Sequence, residues 1–289
     1  MSNRFSVRSA NSASRTHAAS QPLSRGELVV VLLGSVALLF LVLPIVALIV
    51  RAISTRAWEE MPTAGIPDAI WLSFVSTLMT VALTLAFGTP LAYLLARRRF
   101  PMRRIINVFV ELPIVLPPAV AGLALLITFG RRGLLGPLLG ELGVSLPFTI
   151  GAVVLAQTFV AAPFFIRAAI VGFQSVTREI EDAARVDGAG GLRLFWHITL
   201  PLASRNLASG IVLSWARALG EFGATILFAG SLQGRTQTMP LLIYNVIERD
   251  INAAILTGLI LICLAVVALL LSQWLGRKAA DEDVALISA

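Results

Sequence analysis

The chain has 289 residues, of which 57% are hydrophobic and only 13% charged, with a mean hydropathy of +0.86. Soluble domains carry about 25% charged residues, so this composition excludes an ordinary water-soluble fold and points to helices that cross a bilayer. The net charge of +7 comes without a basic-aromatic platform or a groove-reading motif, which argues against a nucleic-acid partner.

In chain order, residues 1–25 are rich in Ser, Ala, Asn and Arg, and no acid precedes Glu27. Transit peptides share that composition, but it also suits a disordered basic tail, which is the expectation adopted. The apolar run at 28–50 is too long for a signal-peptide core and no small-residue cleavage site follows it, so it reads as a membrane helix. Further runs lie near 70–96, 106–129, 149–172, 201–228 and 252–275. Together they give about six spans of the roughly 20 residues needed to cross the hydrocarbon core. The expected organisation is a basic tail over 1–25, one transmembrane domain over 26–278 and a short tail over 279–289 that starts around Asp281.

Arginine and lysine placement predicts orientation. One set of loops carries Arg4, Arg8, Arg15 and Arg25, then Arg97, Arg98, Arg99, Arg103 and Arg104, then Arg178, Arg185 and Arg193, and finally Arg277 and Lys278. The opposite loops hold Arg51, Arg56, Arg131, Arg132, Arg235 and Arg249. This bias predicts cytoplasmic termini and a cytoplasmic loop over 182–201. Cys263 is the only cysteine and lies within an apolar run, which excludes an intramolecular disulfide and a cysteine metal cluster. No Gly-x-x-x-x-Gly-Lys-Ser/Thr loop is encoded, since Gly188-Ala-Gly-Gly191 has no following lysine. Any ATP hydrolysis must therefore belong to another polypeptide. No cofactor, metal site or catalytic residue is expected.

Three segments stand out. In the third run, Glu111-Leu-Pro-Ile-Val-Leu-Pro-Pro118 puts Pro113, Pro117 and Pro118 close together. At about 1.5 Å per residue from Arg104, Pro117 falls roughly 20 Å into the membrane. Each proline removes a donor and crowds the preceding turn. Irregular backbone at that depth needs protein or a cavity around it, so a kinked span is expected that faces a translocation path or a partner subunit, or that serves packing alone.

The polar loop between the fourth and fifth runs holds Glu181, Asp182, Ala183, Ala184, Asp187, Gly188, Ala189 and Phe195, and closes on Ile198-Thr-Leu-Pro201. Thr177 with the following acids marks a helix start, and Gly188 marks its end. Two consecutive alanines give that helix a smooth face which a partner could approach closely. His197 has no second histidine nearby and reads as a packing residue.

In the fifth run, Arg217 and Glu221 stand four apart and can pair on one helix face, while Gly220 and Gly223 permit bending. A structural pair and a gating role are both open for them. Thr225 follows in the same stretch. Gln157 and Arg167 are candidates to line a path, although Arg167 could equally snorkel to the headgroups. Arg235, Thr236, Gln237 and Thr238 lie in an outer turn. They could contact an oxyanion or a partner, or could simply close a hairpin.

The loop Asp182-Ala-Ala-Arg-Val-Asp-Gly188 followed by Ile198-Thr-Leu-Pro201 resembles the "EAA" loop of bacterial ABC importer permeases, with Asp182 where that family usually has Glu. The proline string resembles the molybdate and sulfate branch of that family. Arg217-Ala-Leu-Gly-Glu-Phe-Gly-Ala-Thr225, Phe228-Ala-Gly230 and Gly234-Arg-Thr-Gln-Thr-Met-Pro240 look most similar to molybdate or tungstate permeases. The resemblance covers about Thr89 to Tyr244. It implies an all-α membrane protein of the type I importer permease fold, moving molybdate, with tungstate as a further cargo and sulfate as the alternative. It also implies an ATPase subunit in two copies seated on the 181–195 loop, a periplasmic or lipid-anchored oxyanion-binding protein, and a permease homodimer in the inner membrane. A stand-alone ion-coupled transporter would want paired broken helices or proton relays, and an embedded enzyme a His, Asp or Cys cluster. The sequence offers neither a repeat of the proline string nor such a cluster.

Overall fold

The computed structural model describes the backbone of residues 24–60 and 65–287, and every described element is helical. The basic segment at 1–23 lies outside the described residues. The first helix, α1 (Arg25–Ser54), exposes Leu, Val and Phe side chains around its whole circumference, with Phe40 75% exposed. A helix apolar on all sides is a membrane helix, and its length of about 45 Å exceeds the hydrocarbon core.

The remaining helices are α2 (Ile66–Arg97), α3 (Arg103–Val115), α4 (Pro118–Phe129), α5 (Gly136–Glu141) and α6 (Ile150–Ser175). They continue with α7 (Arg178–Val186), α8 (Gly191–Leu194), a single π turn (Phe195–Thr199) and α9 (Leu200–Leu219). The last three are α10 (Gly223–Ala229), α11 (Met239–Ile247) and α12 (Ile251–Ile287).

The centre is a packed trio of α2, α6 and α9, with Ala92, Phe165, Ala169, Phe173, Ala203 and Leu207 in its core. Small residues make it possible. A Cβ on Gly172 would lie 2.7 Å from Asn206 Cβ, and one on Gly210 would lie 2.8 Å from Ala168 Cβ. In lipid, where apolar surface is no driving force, such close backbone approach supplies the packing energy. The buried face of α2 is a stripe of Ser73, Ser76, Thr77, Thr80, Thr84, Gly88 and Ala92 at helical spacing. Thr77 donates to Ser73 O at 2.7 Å and Thr80 to Gln157 Oε1 at 3.0 Å, while the buried Thr84 hydroxyl has no hydrogen-bond partner among the described residues.

Two elements expected as single spans are instead broken. The run 106–129 splits into α3 and α4, bent by 116°. The physical cause is the doubled proline. Each proline drives its predecessor out of the helical region, so Leu116 (ψ 133°) and Pro117 (ψ 135°) are both extended. Pro118 then sits at the first turn of a new helix, where its missing N–H costs nothing. Pro113 remains inside α3. The run 201–228 splits likewise into α9 and α10, bent by 58°. Three helices are long and apolar enough to cross a membrane, or five if each bent pair counts as one span, among the described residues. The last apolar run lies on α12, whose backbone stays helical through Ile287 rather than stopping at 278.

Two ends can be told apart. The end of α2, the start of α3, the end of α6 and the start of α9 lie with α7, because Arg97 and Thr199 both reach Glu181. At the other end Met239 N donates to Ser73 Oγ at 2.8 Å, joining the start of α11 to the start of α2.

Candidate functional site

α7 begins after Thr177, whose backbone is extended but whose side chain makes no capping hydrogen bond. It stops at a glycine for a geometric reason. Gly188 has φ +87°, Gly188 N donates to Arg185 O at 3.0 Å and Ala189 N to Ala184 O at 2.8 Å. That pair of bonds is a Schellman closure, in which the left-handed residue is normally glycine. A Cβ on Gly188 would meet nothing within 4 Å, so the turn faces open space. Asp182, Ala183 and Asp187 are exposed, Ala184 and Ala189 half-buried, and Val186 is 87% exposed.

The inner side of the same loop is different. Glu181 is only 3% exposed. Its carboxylate lies 2.9 Å from Arg97 Nη2 and accepts from Thr199 Oγ1 at 2.8 Å. Arg185, one turn on, reaches it at 3.9 Å and also pairs with Asp182. Phe195 turns inward as well. Its ring meets Tyr93 edge-on at 5.1 Å and Phe173 at 6.0 Å, an aromatic cluster that seats the loop on α2 and α6. Sequence reading therefore grouped two populations: an exposed face, and the residues Glu181 and Phe195 that fasten it. Arg97 and Thr199 were missed, since neither has a local spacing relation to Glu181.

The two broken pairs meet. α4 packs on α10 so closely that a Cβ on Gly223 would lie 2.5 Å from Pro118 Cβ, and one on Gly122 2.8 Å from Ala224 O. At this break Glu221 is 1% exposed. Its Oε2 lies 2.7 Å from Arg217 Nη1, and its Oε1 accepts from Ala224 N at 2.8 Å. The pair expected from spacing thus forms, but across the end of α9 rather than along an unbroken helix. The carboxylate also satisfies a donor that the first turn of α10 would otherwise leave open. Thr225 and Pro113 are buried, Gly223 is half-buried, and Pro117 and Pro118 are exposed.

Of the other path candidates, Gln157 is buried and bonded to Thr80, so it lines nothing. Arg167 is exposed and lies 3.6 Å from Glu111. In the outer turn Thr236, Gln237 and Thr238 are buried. Thr236 accepts from Leu232 N and Gln237 donates to Ser231, the work of a closed turn, while Arg235 alone of the four is exposed.

Residues 88–281 match the model of the family described as binding-protein-dependent transport system inner membrane component. The chain belongs to this family. The matched region contains α7, both breaks, α6, α9 and the last ten residues of α2. The permease is 40% identical over 233 residues to the molybdenum transport system permease protein ModB of Mycobacterium tuberculosis, covering 81% of this chain and 88% of that protein. It is 34% identical over 248 residues to the sulfate transport system permease protein CysW of Synechococcus elongatus, covering 83% and 87%. Its fold is similar to that of a bacterial ABC transporter that imports the acidic polysaccharide alginate, with a TM-score of 0.69 at 18% identity over 87% of this chain and 95% of that one. Like other such components, it is a transport subunit and not itself an enzyme.

Proposed function

We propose that the protein is the permease subunit of an ATP-driven importer of molybdate, with tungstate as a further cargo. The observation that carries the substrate is the 40% identity to a molybdenum permease across 88% of that protein's length. On this reading the bent pairs α3–α4 and α9–α10 each count as one span and α12 as the last, giving six. Both termini and α7 lie in the cytoplasm, in keeping with the arginine bias.

The exposed face of α7, from Asp182 to Gly188, seats in an ATPase subunit, one per permease. The turn over 230–240 and α11, at the opposite end, receive the oxyanion-binding protein. A second permease copy covers α3, whose exposed face carries Ile105, Val108, Phe109, Leu112 and Val115. The half-exposed Glu111–Arg167 pair sits beside this apolar face, and charge facing lipid is costly. That supports a surface turned toward a second copy and the path between them. ATP binds one of two states better, and that differential affinity moves α7 and switches the path. Because α4 and α10 are locked at Pro118–Gly223 and Gly122–Ala224, the two half-helices shift together.

Uptake of labelled molybdate into vesicles holding this chain, its ATPase and its binding protein tests the reading. Saturable, ATP-dependent uptake displaced by tungstate but not by excess sulfate is expected. Sulfate uptake in its place would keep the importer and change the cargo.

A further inference from the structure

We propose that Glu181 is a positioning residue that makes α7, the end of α2 and the start of α9 move as one body. The inference rests on the reading of α7 as the ATPase-docking helix and adds how its motion enters the membrane. Glu181 is the buried residue of α7; its other positions are exposed or, for Ala184, half-buried. Among the described residues, no other α7 side chain makes a hydrogen bond or ion pair to another element, since the Arg185–Asp182 contact stays within the helix. α7 is thus a flap. It is tethered at its start by the buried Val176 and at its end by the Gly188–Gly191 turn, whose first and last glycines have φ +87° and +54°.

The carboxylate reaches two destinations. Arg97, with its side chain only 10% exposed, is the last residue of α2, and Thr199 closes the π turn that leads into α9. Both helices belong to the packed trio, and α9 ends at the break where Glu221 and Gly223 set the angle of α10. Within α7 itself a push therefore reaches the packed trio through one polar side chain, while Phe195, beyond the Gly188–Gly191 turn, seats the following segment on α2 and α6. Removing the Glu181 charge would leave Arg97 buried without a counter-ion and free α7 to follow the ATPase alone.

The test measures relative motion directly and does not depend on the cargo. Spin labels go on Arg98→Cys, just beyond α2, and Arg178→Cys, at the start of α7, in a Cys263→Ser background; both labelled sites are exposed. In the complete complex with ATPase, the interspin distance of otherwise native protein should stay one narrow population with and without trapped ATP. With Glu181→Gln the ATP-trapped state should split or broaden, and uptake per ATP hydrolysed should fall about tenfold while the ATPase still co-purifies. If Glu181→Gln does not fold, Thr199→Val decides in its place, with a smaller broadening expected. A folded variant whose distances match native protein in both states overturns the proposal and leaves docking intact. An equal fall of uptake and hydrolysis with unchanged distances makes Glu181 merely structural and also overturns it. Docking itself is tested separately by Gly188→Trp, which should abolish ATPase co-purification; native co-purification of that variant would overturn the docking reading.

Discussion

Glu181 and Glu221 are both buried glutamates with an arginine partner, yet they are wired to different ends. Glu221 pairs with Arg217, four residues back, and takes a hydrogen bond from Ala224, three residues on. Its hydrogen-bond and ion-pair partners are all local, and it acts as a splint across one bend. Glu181 spends its bonds on α2 and on the π turn before α9, elements far from it in sequence. The first arrangement fixes an angle, and the second ties moving parts together. The same chemical pair can therefore stiffen or transmit, and the partner's position in the chain decides which. The local splint should be felt mainly in stability, the long-range tie mainly in coupling.

The largest stability effect is expected at the splint. Glu221→Ala strands Arg217, whose side chain is 30% exposed, and leaves the first turn of α10 without an acceptor. Breaking one partner of a buried pair costs about 3–5 kcal/mol, read as a lowered melting temperature in detergent. A native melting curve would remove the distinction drawn above. Arg217→Met with Glu221→Met should recover much of the loss and, if transport returns too, assign the pair to structure rather than gating. A smaller loss is expected from Gly223→Ala, since the new methyl would start 2.5 Å from Pro118. Overpacking of this kind costs about 1–3 kcal/mol. It should also slow transport by wedging α4 from α10; unaltered transport would mean the two half-helices do not travel together.

Much of this was legible in the chain, and the exceptions have physical reasons. The doubled proline at 117–118 announces a break, because consecutive prolines push two residues out of the helix in succession. It cannot announce a 116° turn, since the direction of the next helix is set by what α4 packs on. Gly188 as the end of α7 and the Arg217–Glu221 pair were readable because both obey fixed local offsets. The inward roles of Glu181 and Phe195 were not, because a sequence does not show which face of a short polar helix the tertiary fold covers. The Ser/Thr stripe of α2 has helical spacing, but its meaning depends on Gln157 and the start of α11 lying opposite. α12 continues as helix through Asp281-Glu-Asp283 to Ile287, since charge alone does not end a helix.

The smallest effect sharpens the contrast most finely, because it concerns the neighbour of Glu181. Asp182 is 64% exposed at its side chain and pairs only with Arg185 on the same helix. An exposed pair of this kind contributes well under about 1 kcal/mol. Replacing Asp182 with Ala removes an acid from near the favourable start of a helix but supplies the best helix former, so the two changes nearly cancel. Melting of Asp182→Ala should stay within about 0.5 kcal/mol of native protein, as for surface substitutions generally. On the proposal that the exposed face of α7 docks the ATPase, the variant should nevertheless hold its ATPase less firmly, seen as earlier dissociation in a salt titration of the purified complex. A clear drop in melting without weaker ATPase binding would put Asp182 with the residues that fasten α7 to the body. The division of this helix into an outer face for the partner and one inner acid for the membrane domain would then fail at its nearest neighbour.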